Sequence, residues 1–243
     1  MRPPSILLAL LLTGAAAAQS VTREGGPGAL TATFIGNEAW HITDGEYAVM
    51  TDFPYESGYS RYMTWDSSGV PKIADPGKLL IVTTHQHRDH FAAELMPGLK
   101  PGGVVGPATV RAAAGSAGLQ PTVDTRFGPI RVQAISTPHA GLEHYSHVIS
   151  WNGIRIYLPG DTEETNSVNE ARNLDVAFVT PWMLRTAERQ RAIIDARRVI
   201  VVHHEAGEIV RPYQGSIVPR QGQVFILQPS PGARPLSDSG DWW

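Results

Sequence analysis

Six consecutive residues limit what this chain can fold into more than any others: His85-Gln86-His87-Arg88-Asp89-His90. They follow Leu79-Leu80-Ile81-Val82-Thr83-Thr84, an apolar, β-branched run that reads as a buried strand. They precede Phe91-Ala92-Ala93-Glu94-Leu95, which reads as helix. The histidines therefore sit where a strand ends and a helix begins. Strand spacing points His85 and His87 the same way, and the turn brings Asp89 and His90 to a neighbouring point. Imidazole nitrogen and carboxylate oxygen form the donor set of zinc and other first-row metals. A solvated, His-rich turn is the poorer account of four ligand-type residues at one strand end.

The hexapeptide fits HxHxDH, and in it the sequence resembles the metallo-β-lactamase superfamily of hydrolases. That superfamily draws further ligands from three later loops, and a candidate occurs at each, in the expected order. His139 lies in Ser136-Thr137-Pro138-His139-Ala140, after the strand-like Ile130 to Ile135. Asp161 lies in Tyr157-Leu158-Pro159-Gly160-Asp161-Thr162, which looks like the family's GD element, and His203 ends Val199-Ile200-Val201-Val202-His203. Each falls at the C-terminal end of a predicted strand. The opening strands, Ala32 to Ile42 and Tyr47 to Pro54, resemble the ascorbate-phosphate-lactonase-like branch, which begins with a glycine-turn hairpin and a strand ending in Asp-Pro; here Phe53 separates Asp52 from Pro54. The resemblance spans roughly Gly36 to His204 and implies a four-layer αββα sandwich.

The same resemblance implies a chemistry. His85, His87 and His139 would bind one metal, Asp89, His90 and His203 a second, and Asp161 would bridge them. Two divalent ions, zinc foremost and manganese or iron as alternatives, would hold a hydroxide for attack on a small-molecule ester, lactone or phosphodiester. Asp89 and Asp161 are the catalytic carboxylates on this reading. An iron-dependent redox relative and a β-lactam-cleaving enzyme are the alternatives, although Asp161 argues against a dedicated antibiotic-resistance enzyme.

Several histidines leave choices open. His203 and His204 are adjacent, so strand alternation sends them to opposite sides; His203 directly ends the apolar run and is preferred. His144 and His147 lie between His139 and Asp161 and are candidates to line the pocket or to replace His139. His41 has no ligand spacing and reads as a half-buried sheet residue. Substrate contacts are expected from Arg88, Tyr59, Trp182 and His204. Arg88 would meet an anionic group, unless it points to solvent or pairs with Glu163 or Glu164. The long segment 54–76 carries Tyr55, Tyr59, Tyr62 and Trp65 and reads either as a wall over the pocket or as a loop packed on its own domain.

Strand-like runs fall near 29–36, 39–43, 47–53, 79–84, 103–106, 129–136, 146–150, 154–158, 175–180, 199–203 and 223–227. Helical patterns fall near 89–96, 108–117, 165–172 and 185–197. With 243 residues, 42% of them hydrophobic, the chain suits one α/β domain over 29–228, preceded by a short extension, 19–28. Residues 229–243 read as a flexible tail. Residues 1–18 have one charge, a short apolar run and Ala16-Ala17-Ala18 before Gln19, the shape of a secretory signal peptide. A periplasmic or secreted protein is therefore expected. The apolar run is far short of the ~20 residues that span a bilayer, and the chain has no cysteine for a disulfide or a lipid anchor. Without the leader, 19 basic residues stand against 23 acidic ones, and the arginines of Arg185 to Arg198 are interleaved at helical spacing. No basic stripe marks a nucleic-acid partner. A small-molecule substrate is the expected partner, and the sequence leaves oligomeric state open.

Overall fold

The computed structural model describes residues 26–58, 61–65, 67–205, 208–210 and 215–229. The expected leader, Tyr59 and almost all of the expected C-terminal tail lie outside these residues. Two sheets stack face to face. One holds β1 (Leu30–Gly36), β2 (Ala39–Thr43), β3 (Ala48–Thr51), β4 (Leu79–Val82), β5 (Gly103–Val105) and β6 (Gly118–Leu119). The other holds β7 (Thr125–Phe127), β8 (Ile130–Ser136), β9 (Tyr145–Trp151), β10 (Ile154–Leu158), β11 (Val176–Val179) and β12 (Val199–Val201). A last strand, β13 (Val224–Leu227), returns to the first sheet beside β1, giving the orders β13-β1-β2-β3-β4-β5-β6 and β12-β11-β10-β9-β8-β7.

Strand direction is what builds the site. β1 and β3 both run antiparallel to β2, and β3 is parallel to β4, so β1, β3 and β4 finish at one edge. In the second sheet β8 and β10 both run antiparallel to β9, while β10, β11 and β12 are parallel. Their C-terminal ends share an edge in the same way. β4 is Leu79-Leu80-Ile81-Val82, buried at every position, as a central parallel strand covered on both faces must be. The β9–β10 hairpin turns on Asn152-Gly153, both with positive φ, the geometry a tight two-residue turn requires.

Between the sheets lies one apolar layer that includes Leu30, Phe34, Trp40, Leu80, Val82, Ile149, Trp151, Ile156 and Phe178. Trp40 of β2 stacks on Phe178 of β11 with ring centroids 4.2 Å apart and planes 12° from parallel. Outside the first sheet, α1 (Ala108–Ala114) adds Val110 to a layer with Met50, Leu79 and Ile81. Outside the second, α2 (Asn166–Glu170) and α3 (Pro181–Gln190) add Val168, Met183, Leu184 and Ala187 against Tyr157, Ala177 and Val201. This is the expected αββα order in a single domain. Among the described residues, no helix is long and apolar enough to cross a membrane.

The expected elements shift in three places. The helix expected at 89–96 is a turn followed by a short 3-10 helix, Ala93–Gly98, which contains Pro97. Proline removes a backbone donor and cannot continue an α-helix there. The helix expected at 185–197 begins earlier, because Thr180 Oγ1 accepts from the Met183 N–H and Pro181 fits the first turn. It ends at Arg191, whose left-handed conformation closes the last turn. β6 and β7, of two and three residues, are too short to show any periodicity in sequence.

Candidate metal centre

The seven expected ligands arrive from four strand ends. His85, His87, Asp89 and His90 follow β4; His139 follows β8, Asp161 follows β10 and His203 follows β12. They gather in two groups. Donor atoms of His85, His87, His139 and Asp161 all lie within 4.8 Å of one another, and so do those of Asp89, His90 and His203. In the first group His85 Nε2 is 2.9 Å from His87 Nδ1, and His139 Nε2 is 3.4 Å from the same nitrogen. In the second, His90 Nε2 is 2.9 Å from His203 Nε2, which is 3.3 Å from Asp89 Oδ2. Asp161 lies between them. Its Oδ2 is 3.8 Å from His85 Nε2 and from His139 Nε2 and 3.4 Å from His90 Nε2, and its Oδ1 is 3.3 Å from His203 Nε2.

These residues fit a metal. Imidazole nitrogens face each other at 2.9 Å in both groups, and Asp161 Oδ1 is buried without a hydrogen-bond partner. Lone pairs converging in a buried pocket are satisfied by a cation.

The second tier of contacts fixes which nitrogen each ring presents. His90 Nδ1–H donates to Asp52 Oδ2 at 3.1 Å, leaving Nε2 with its lone pair toward Asp161. Thr84 Oγ1 donates to Asp52 Oδ2 at 3.0 Å and accepts from His85 Nδ1–H at 3.1 Å, which turns His85 Nε2 inward likewise. The Thr84 N–H closes the arrangement on Asp52 Oδ1 at 2.7 Å. One buried carboxylate thus orients a ligand in each group.

Asp161 is placed by its main chain. Its N–H donates to His144 Nε2 at 3.2 Å, and its carbonyl accepts from Trp182 Nε1 at 3.1 Å. His144 Nδ1–H in turn donates to Thr137 Oγ1 at 2.8 Å. Burial lowers the His144 pKa to about 3, so the ring stays neutral and keeps Nε2 as an acceptor. Of the open choices, His144 therefore supports Asp161, while His139 faces the ligand group. His147 bridges the sheets instead, its Nε2–H donating to the Thr83 carbonyl at 3.1 Å, and burial lowers its pKa to about 4. His41 is buried in β2, not half-buried as expected, and burial lowers its pKa to about 4 as well.

Electrostatics differ between the groups. Burial pushes His85 down, below the ordinary imidazole range. Burial works the same way on His90 and His203, but the carboxylates around them, Asp161 foremost with Asp52 at His90 and Asp89 at His203, together outweigh it, so both are raised. For Asp161 burial acts upward, yet His90 and His203 hold its carboxyl well below the usual range. Glu38, in the turn between β1 and β2, is pushed well above that range by burial, with Asp52 and Asp161 adding to the effect.

A cavity of about 580 Å³ opens beside this centre, lined by His139, Asp161, Glu163, Glu164, Trp182 and Arg185 among others. Tyr62 and Trp182 set their rings edge-on to His203, with centroids 4.2 and 4.8 Å away. Both readings of the 54–76 loop hold, divided among its residues. Tyr55 and Trp65 pack with Phe53 on the domain, while Tyr62 reaches the centre. Of the expected substrate contacts, Trp182 lines the cavity and Tyr59 lies outside the described residues. His204 turns its Nδ1 toward the Glu205 carbonyl, 3.2 Å away. Arg88 is paired, as its alternative reading expected, but with Glu56 and Glu94 rather than Glu163 or Glu164, and it is not among the residues that line the cavity. Asp52, Thr84, Glu38 and Arg185 were not expected from sequence. Only Asp52, a carboxylate ending a strand of apolar residues, carries a local signal.

The sequence profile of the beta-lactamase superfamily domain matches residues 31–193. Among curated proteins none matches. Solved structures share the fold at low identity. The metallo-beta-lactamase fold protein YhfI of Bacillus subtilis is 13% identical with a TM-score of 0.59, over 82% of this chain and 99% of that one. A protein named as a metal-dependent hydrolase of Parabacteroides distasonis is 18% identical with a TM-score of 0.55, over 72% and 82%. CmlA, a diiron beta-hydroxylase of Streptomyces venezuelae, is 14% identical with a TM-score of 0.52, over 74% and 46%. None of these matches singles out the lactonase-like branch. With two stacked sheets, flanking helices and a profile match over most of its domain, the chain belongs to the beta-lactamase superfamily of metallo-hydrolases.

Proposed function

We propose that this chain is a binuclear metal-dependent hydrolase of a small-molecule ester, lactone or phosphodiester, with zinc in both positions. The observation that carries the reading is the position of Asp161, whose two oxygens face histidines of both groups. His85, His87 and His139 would hold one ion, Asp89, His90 and His203 the other, with Asp161 shared. Bound there, such ions supply an activated water at neutral pH and a Lewis acid for the oxygen under attack.

The chain's own residues do the rest. Asp52 and Thr84 hold the tautomers of His90 and His85, so that neither ring must reorganise. His144 and Trp182 clamp the main chain on both sides of the Asp161 side chain. Tyr62 and Trp182 shield His203, and Trp182 presents an aromatic surface to a substrate entering the cavity. Arg185, at the cavity wall, offers a cation to a carboxylate or phosphate, the role Arg88 is turned away from. Export through the leader read in residues 1–18 belongs to the same proposal.

Elemental analysis of purified protein, with a panel of chromogenic esters, lactones and phosphodiesters, tests this. Close to two equivalents of zinc and turnover of one panel class are expected. Protein that carries no metal and takes up none on reconstitution would overturn the proposal; two equivalents of iron would redirect it to redox chemistry.

A further inference from the structure

Glu38 stands beside the second ligand group although nothing in the HxHxDH pattern calls for it. It follows Gly36-Asn37 at the end of β1, at the edge where β3 ends in Asp52 and β4 leads into the histidines. The residue is only 4% exposed, and its Oε1 is buried with no hydrogen-bond partner. A carboxylate oxygen of Glu38 lies within 4.8 Å of donor atoms of both Asp161 and His203, and in a second grouping a Glu38 oxygen lies within the same distance of Asp52 and His90. A carboxyl group buried in this way ionises only at a large cost in lost hydration unless a cation or donors meet it. Here Asp52 and Asp161, two of its nearest ionisable neighbours, are themselves carboxylates, and a cation among them would let Glu38 ionise.

We infer that Glu38 is a further ligand of the second metal position, which is then built from Asp89, His90, His203, Asp161 and Glu38. The inference rests on the binuclear reading above and deepens it. The two positions would differ in kind. The first offers three imidazole nitrogens and the shared carboxylate; the second offers two imidazoles and three carboxylates. Imidazole suits zinc, while oxygen donors suit harder ions such as manganese and ferrous iron. The second position therefore tolerates manganese better, relative to zinc, than the first does.

The test uses the full chain, stripped with a chelator and titrated separately with Zn²⁺ and Mn²⁺ by calorimetry. In Glu38→Gln, which keeps shape and removes charge, the first equivalent should bind as in wild type. The second should weaken by about 10–100-fold, with the loss larger for Mn²⁺ than for Zn²⁺. Glu38→Gln that takes up both equivalents with wild-type affinity overturns the role of Glu38 and leaves the binuclear reading standing. Wild-type protein that binds no metal overturns both. Should Glu38→Gln fail to fold, a crystal structure of zinc-loaded wild type decides. A Glu38 oxygen about 2.0–2.2 Å from the second ion supports the inference, and one beyond about 3 Å, outside ligand range, overturns it.

Discussion

Asp52 Oδ2 lies 3.1 Å from His90 Nδ1, and that contact decides which nitrogen His90 turns toward Asp161. The same carboxylate reaches His85 through Thr84, so a ligand of each group depends on one side chain that touches neither proposed ion. In Asp52→Asn the amide can donate where the carboxylate only accepts, and it favours the wrong tautomer of His90. Metal affinity should fall about 10–100-fold at both positions, read by competition with a chromogenic chelator. Unchanged affinity would show that packing alone orients the rings.

His203 and His204 separate cleanly by substitution. His203 Nε2 faces Asp89 and Asp161, while His204 turns toward the next loop. His203→Ala should lose one metal equivalent by elemental analysis and reduce turnover by orders of magnitude. His204→Ala should keep both equivalents and change rate modestly. The opposite result would move the ligand by one residue.

Gly160 carries a constraint that no side chain can meet. Its φ is +65°, and an added Cβ would stand 2.6 Å from His144 Nε2 and 2.8 Å from Thr84 Cβ. Both neighbours are held by hydrogen bonds that place Asp161 and His85. Gly160→Ala should lower stability by about 1–3 kcal/mol in chemical denaturation and weaken metal binding as well. A variant with wild-type midpoint and affinity would refute this account of the loop.

His147 gives a pH dependence with a definite sign. Burial lowers its pKa to about 4 in the folded protein, below the ordinary value of about 6.5 in the unfolded chain. The neutral ring therefore contributes stability that is fully present above pH 6.5 and lost as pH falls toward 4. The loss for this one group is about 3 kcal/mol. His147→Gln removes the titration, so the stability gap between wild type and variant should shift by roughly that amount between pH 7 and pH 4. A gap that stays constant with pH would show that His147 titrates normally.

Sequence carried the candidate ligands because they follow closely on the ends of apolar strands, and a strand end is a local property. It did not carry their supports. Asp52 matters only because β3 lies parallel and adjacent to β4, which is a fact of pairing rather than of spacing. His144, in the β8–β9 connection, reaches Asp161 beyond the end of β10, a meeting that depends on the register of β9 with β10. Arg88 misleads for the converse reason. It sits between two ligands in sequence, yet the turn sends it outward to Glu56 and Glu94. Glu38 reads as an ordinary hairpin residue until the two sheets close over it.

The Trp40–Phe178 stack joins the two sheets through the core, and the centre is divided along the same seam. Four candidate ligands belong to the first sheet's β4 loop and three to loops of the second. An ion held among them would act as a clasp across the sandwich, closing only when the halves are in register. Metal affinity then becomes a gauge of core packing, sensitive to a change at Trp40 that touches no ligand. By the same linkage, loading the centre raises resistance to unfolding in proportion to the logarithm of free metal over its dissociation constant.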